Sequence, residues 1–256
     1  MLAAGVDMIS AVKHQKKSYK DYVDDLLKNY PYDVAIQHAV GVDFERNGIL
    51  QKCLLTHLGL DASHYLIDVG CGAGRLARQL QSTHKARYLG LDIVPELIEY
   101  ARGITDRKDW RFEVVDGLTI PEEDNVADVV CFFSVLTHLL HEESFLYLQE
   151  AKRVLRPGGA IVFSFLEYSI HTDLFERTVG DVGVDAYPLN VFIDRSAIRV
   201  WAKLLGLSVV RLIAGDSKII PLDEPLEFES GFTMTSPAHF GQSVCVLIKG
   251  DERDLS

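Results

Sequence analysis

"LIDVGCGAGRLA", residues Leu66–Ala77, sets an apolar run, an acid and three glycines at alternate positions side by side. Gly70, Gly72 and Gly74 follow the apolar run directly and lead into a helical pattern, so the stretch reads as strand, tight turn, helix. A turn without Cβ atoms brings backbone N–H groups and a helix N-terminus up to whatever lies above the strand. The dinucleotide fingerprint G-x-G-x-x-G requires a glycine at position 75, where this chain carries Arg75. The spacing here is G-x-G-x-G.

Outward from this turn, the same alternation continues. "HYLIDV", "ARYLGLDI", "WRFEVV", "VADVVCFFS" and "GGAIVFSF" read as five strands. Between them, "GRLARQLQ", "PELIEYARGI" and "EESFLYLQEAKRVL" repeat apolar residues three and four apart, the mark of helices with one buried stripe. A helix around "DRSAIRVWAKLLG" and two late strands, "LSVVRLIA" and "SVCVLIK", follow. Seven strands joined by crossover helices predict an α/β fold with a doubly wound sheet, its ligand crevice at the C-terminal strand ends where the chain order reverses. The length, 256 residues, suits one domain over 1–256. Three segments stand outside the alternation: a helical N-terminal extension over 1–60, and insertions at 166–191 and 215–241. Connections this long are functional or disordered, and all three are read as caps over the crevice.

With Asp68 two residues ahead of Gly70, the glycine spacing resembles motif I of the class I S-adenosylmethionine-dependent methyltransferases. The likeness spans Leu66 to Phe165. It implies a Rossmann-like seven-stranded sheet, mostly parallel with an antiparallel last strand, helices on both faces, and S-adenosylmethionine as cofactor, leaving S-adenosylhomocysteine as product. It further implies that Gly70, Cys71, Gly72 and Gly74 lie against the methionine and ribose parts, with Asp68 orienting the amino-acid end.

At the end of the second strand stand Asp92 and Ile93. The two carboxylate oxygens of Asp92 match a vicinal diol, the ribose role in the resembled family. An acid before Pro95 also suits a helix cap; the place after the glycine loop favours ribose. Asp116 and Gly117 resemble the adenine-contacting site, although Asp-Gly is equally a turn dipeptide. In "CFFSVLTHL", Ser134 and Val135 map beneath the sulfonium and His138 to the cofactor or substrate side, an ordinary helix or loop position being the competing assignment. "RPGG" before the fifth strand reads as a turn with an architectural role.

Methyl transfer from a sulfonium is an in-line displacement that needs alignment and exclusion of water more than acid or base chemistry. A hydroxyl acceptor benefits from a base, for which His138 and His141 are the nearest candidates and His171 the next. "HEES" lacks the second histidine of a zinc-binding helix, so no metal is expected. The Asn-Pro-Pro-Tyr-type signature of amino methyltransfer to nucleic-acid bases or glutamine is absent from the end of the fourth strand, "FFSV". Tyr30, Tyr32, His38, Tyr168, His171, Tyr187 and His239 in the extra segments are candidates for an acceptor pocket, but aromatic residues in long loops more often anchor the loop. Trp201, on a stripe with Leu204 and Leu205, reads as core.

Composition narrows the partners. Twenty-six Lys and Arg against thirty-seven Asp and Glu leave a net charge of -11, which disfavours nucleic acid. Four dispersed cysteines suit a reducing compartment. No apolar stretch is long enough to span a bilayer, and "MLAAGVDMISAV" precedes its lysines, the reverse of a secretory signal. A cytoplasmic enzyme is expected, methylating oxygen or nitrogen of a small-molecule acceptor without a membrane or nucleic-acid partner. The alternatives are a non-catalytic scaffold of the same fold and a nicotinamide-dependent oxidoreductase; the oligomeric state is open.

Overall fold

The computed structural model describes residues 8–180 and 190–250. Tyr187 lies outside them. The chain runs α1 (Met8–Asn29), α2 (Tyr32–Ala39), α3 (Phe44–His57), β1 (Leu66–Val69), α4 (Arg75–Leu80), β2 (Tyr88–Asp92), α5 (Pro95–Ile104), β3 (Arg111–Val114) and β4 (Ala127–Phe132). Then come α6 (His141–Val154), β5 (Leu155–Phe165), α7 (Thr172–Gly180), α8 (Arg195–Leu205), β6 (Leu207–Ile213), a short β7 (Leu226–Glu227) and β8 (Thr233–Met234) ladder, and β9 (Ser243–Lys249).

Seven strands form one sheet in the order β3-β2-β1-β4-β5-β9-β6. The first five named are mutually parallel, and β9 runs antiparallel between β5 and β6. The order reverses between β1 and β4, where the expected crevice belongs. Burial explains why the strand pattern was legible: every residue of β1 and β2 is buried, as in a strand covered on both faces. The edges β3 and β6 expose alternate or outer positions instead.

"RPGG" makes its turn within β5 instead of ahead of it, with Gly158 at φ +80°. Leu155 already pairs with Ala127, and the ladder resumes only at Ala160 opposite Val129, so Arg156–Gly159 bulge out of β5. Trp201 is partly buried against the core, but Leu204 on the same helix is 70 % exposed. The stripe that packs inward is Ile198, Ala202 and Leu205.

The N-terminal helices dock over the glycine turn. Val23, Ile36, Ala39 and Phe44 cluster with Ala73 of the turn and with Val94 and Leu97 at the start of α5. The Tyr19 hydroxyl donates to the Ala39 carbonyl at 3.1 Å, and the Gln37 amide donates to Tyr100 of α5 at 3.0 Å.

Candidate active site

A cavity of about 430 Å³ opens at the C-terminal ends of β1, β2 and β4. Of the residues expected there, Asp68, Gly70, Cys71, Gly72, Asp92, Ile93, Gly117, Ser134, Val135 and His138 all line it.

Gly70, Gly72 and Gly74 have φ of +68°, +54° and +81°, the left-handed region that disfavours side chains. Packing by the protein's own side chains is a further reason for bare backbone here. A Cβ on Gly70 would stand 2.3 Å from Val135 Cγ2, one on Gly72 2.5 Å from Val40 Cγ1, and one on Gly74 2.8 Å from Ala101 Cβ. Protein side chains close in on the turn from these directions. The turn's amides are also engaged: Cys71 N–H donates to the Leu91 carbonyl, Gly72 N–H to Asp92 Oδ2 and Gly74 N–H to the Cys71 carbonyl. Gly74 therefore belongs to the packing of α4 on α5 and is not among the lining residues.

Asp92 is buried, and its two oxygens accept from Gly72 N–H at 2.9 Å and Val94 N–H at 3.0 Å. It thus straps the glycine turn to the entry of α5, whose N-cap position is Val94. Asp68, equally buried, accepts from the Tyr88 hydroxyl at 2.6 Å and the Cys131 thiol at 3.4 Å. Burial pushes both carboxyls up to about 6, against an ordinary 3.8. A carboxyl with a raised folded-state pKa contributes stability that is complete below its unfolded value and lost as pH rises through the folded one. The ligand-free chain is accordingly expected to melt at higher temperature at pH 5 than at pH 7.5. Part of that rise is expected to vanish in Asp92→Asn; an identical pH dependence in the variant would show that Asp92 does not titrate in this window.

At the floor of the cavity, Ser134 holds φ +60°, rare for a residue with a side chain. Its N–H donates to Ser164 Oγ at 2.8 Å, and the hydroxyls of Ser134 and Ser164 both donate to Gln242 Oε1, at 3.2 and 2.6 Å. This network ties the end of β4 to β5 and to the start of β9.

Three sequence expectations are corrected. Asp116 is exposed and outside the cavity lining, because the chain leaving β3 turns Val115 inward and Asp116 outward; Val115, Gly117 and Leu118 line the cavity instead. His141 is exposed on another surface, its Nε2 3.1 Å from the Phe192 carbonyl and its ring edge-on to Trp201. Extended backbone at Leu139 and Leu140 carries the start of α6 away from the site. His171 accepts from Glu167 N–H through Nδ1 and meets the Gly241 carbonyl through Nε2, so it fastens two loops together.

Of the three extra segments, the N-terminal one supplies Tyr19, Tyr22, His38, Ala39, Val40 and Gly41 to the lining. No described residue of 166–191 or 215–241 lines it. Tyr168 stacks on Phe192, and the second insertion lies along α3, Arg46 donating to the Glu227 carbonyl and Glu229 N–H to Asp43. Residues not anticipated include Gln51, Arg75, Tyr147 and Gln242. Among the described residues no group of three or more His, Cys, Asp or Glu is arranged to hold a metal ion, and no helix is long and apolar enough to cross a membrane.

Residues 67–163 match a family model described as a methyltransferase domain. The chain is 35 % identical over 144 residues to a malonyl-[acyl-carrier protein] O-methyltransferase of Hahella chejuensis, covering 56 % of this chain and 50 % of that one. It is 29 % identical to a norajmaline N-methyltransferase of Rauvolfia serpentina, over 38 % of this chain and 34 % of that one. The chain thus spans half or less of the length of these curated relatives. Its fold is similar to that of magnesium protoporphyrin IX methyltransferase from Synechocystis PCC 6803, solved with bound SAH, at a TM-score of 0.57 and 17 % identity over 81 % of this chain and 86 % of that one.

Proposed function

We propose that the chain transfers a methyl group from S-adenosylmethionine to an oxygen or nitrogen of a small-molecule acceptor, a reading supported by the match of residues 67–163 to a methyltransferase-domain model and by the strand order of the sheet. The observation that carries this reading is the cavity itself, which opens where the strand order reverses and is lined by both the glycine turn and the two buried carboxylates.

The lining fits an adenosyl amino acid by its chemistry. Leu91, Ile93, Val115 and Leu118 offer an apolar slot for a purine. Asp92 retains lone pairs beyond those used by Gly72 and Val94, and these accept ribose hydroxyls. Asp68 accepts from an ammonium in the same way. When bound, S-adenosylmethionine supplies a methyl group on a sulfonium already activated for displacement.

The rest falls to the chain's own residues. The N-terminal helices cover the turn and keep water from the reacting centre. Ser134, pinned through Ser164 and Gln242, and Val135, packed on Gly70, form a rigid floor. His138, half-buried in the wall, takes the proton of a hydroxyl acceptor. Both O- and N-methyltransferases occur among the relatives.

Calorimetric titration of the purified chain with S-adenosylhomocysteine and, separately, NAD tests the reading. Saturable binding of the first and none of the second is expected. No binding of S-adenosylhomocysteine at millimolar concentration would favour a scaffold without catalysis, and preference for NAD would favour the oxidoreductase alternative.

A further inference from the structure

Gln242 lines the cavity just ahead of β9, whose first residue, Ser243, pairs with Phe165 at the C-terminal end of β5. Its amide oxygen is engaged, accepting from the hydroxyls of Ser134 and Ser164 at 3.2 and 2.6 Å. Ser164 Oγ also accepts Ser134 N–H, so its own hydrogen goes to Gln242, which fixes the amide oxygen toward the serines and the NH₂ group away from them. Among the described residues no group accepts from Nε2. Gln242 is half-buried and borders the cavity, so this pair of N–H donors is open to it.

The backbone that carries these donors is pinned on both sides. Gly241 N–H donates to the Gly215 carbonyl at 2.9 Å, and the Gly241 carbonyl lies 2.9 Å from His171 Nε2. Ser243, fully buried, donates to Glu167 Oε2 at 2.8 Å, and Arg195 Nη2 donates to the same oxygen at 2.9 Å. Phe133 and Val135, on either side of Ser134, and Leu139 bring apolar side chains to the lining. A pocket with apolar walls and few fixed polar groups takes its ligand's orientation from those groups.

The groups proposed to hold ribose and purine lie at the other end of the cavity: Asp92 ends β2, and Val115 and Leu118 follow β3, whereas β1, β4 and β5 stand between these strands and β9. Gln242 therefore faces the space left for the acceptor. We infer that Gln242 is a specificity-determining residue that donates from Nε2 to a carbonyl oxygen of the acceptor, beside the atom that receives the methyl group. This rests on the proposed function and goes further by naming the acceptor's chemistry. Gln242 offers no positive charge to a carboxylate, and the cavity already holds Asp68 and Asp92, so the oxygen is that of an uncharged ketone, ester or amide.

The probes are 4-hydroxyacetophenone and 4-ethylphenol, which differ by one carbonyl oxygen in place of two hydrogens. Both are titrated by ligand-detected NMR into protein saturated with S-adenosylhomocysteine, so that the cofactor's place is filled. Wild-type protein is expected to bind the ketone about three- to tenfold more tightly, the range of one net neutral hydrogen bond. In Gln242→Glu one carboxylate oxygen still serves the two serines while the other repels a carbonyl, so the preference is expected to reverse, with S-adenosylhomocysteine affinity kept within about threefold. A residue that only braced Ser134 would leave the preference where it was. Gln242→Met, which has no amide donor, is expected to abolish the preference and carries the same reading should the glutamate variant fail to fold. No wild-type preference for the ketone, or no binding of it at millimolar concentration, overturns the inference without recourse to any variant. A preference retained in the folded variants also overturns it, and so does loss of S-adenosylhomocysteine binding in both, which would leave Gln242 to hold the cavity floor alone. If wild-type protein does not bind S-adenosylhomocysteine, the cofactor reading itself fails, which is a different result from equal binding of the two probes.

Discussion

In Gly72→Arg, binding of S-adenosylhomocysteine is expected to fall below calorimetric detection while the domain stays folded. Gly72 lies at φ +54°, where an L side chain is strained by about 1–2 kcal/mol. Its Cβ would meet Val40 Cγ1 at 2.5 Å, so the cap must shift outward before any longer side chain is seated. Both residues line the cavity, and an arginine directed between them occupies it. The strain is small against the roughly 5–15 kcal/mol that hold a domain together, and the sheet beneath is not touched. Gly72→Ala separates the two effects: it introduces the Cβ contact alone and is expected to weaken binding without abolishing it. Thermal melting monitors the fold of both variants. Full affinity in Gly72→Arg would move the cofactor away from the turn altogether.

The sheet was legible because a strand buried on both faces reads as a mostly apolar run, and β1, β2, β4 and the part of β5 from Ala160 onward are such strands. The crevice followed from topology, since Asp68, Asp92 and Ser134 stand at or just past strand ends that converge where the order reverses. What stayed hidden depended on contacts distant in sequence. Gln242 meets Ser134 only because β9 returns between β5 and β6, across 108 residues. Arg75 registered in the sequence as a missing glycine; its role in the wall depends on Val40 and Gln51 of the docked N-terminal segment. His141 and His138 are three residues apart, and nothing local announces that extended backbone between them sends one into the cavity wall and the other to the surface. The glycine turn reads in the sequence as a place of close approach, but sequence does not say from which side. Val135, Val40 and Ala101 are the neighbours that exclude its Cβ atoms.

Asp92→Ala is expected to weaken S-adenosylhomocysteine binding by about 1.5–3 kcal/mol, some ten- to 150-fold, through loss of charge-assisted bonds to ribose. It is also expected to lower stability. Gly72 N–H and Val94 N–H both lose their acceptor, and each buried amide left unmade costs about 1–3 kcal/mol. Removal of a carboxyl that burial already disfavours in its ionised form recovers part of this, so a net loss of about 2 kcal/mol is expected at pH 7. The affinity loss alone does not identify its cause, because an unstrapped turn and a missing ribose partner both weaken binding. A cofactor analogue lacking the ribose hydroxyls distinguishes them. If Asp92 holds the diol, deleting the hydroxyls weakens binding to wild-type protein but changes little in Asp92→Ala, since the contact is lost only once. If the hydroxyls matter equally in both proteins, Asp92 acts on the cofactor only by strapping Gly72 to the start of α5, and the ribose must find its acceptor elsewhere along the cavity.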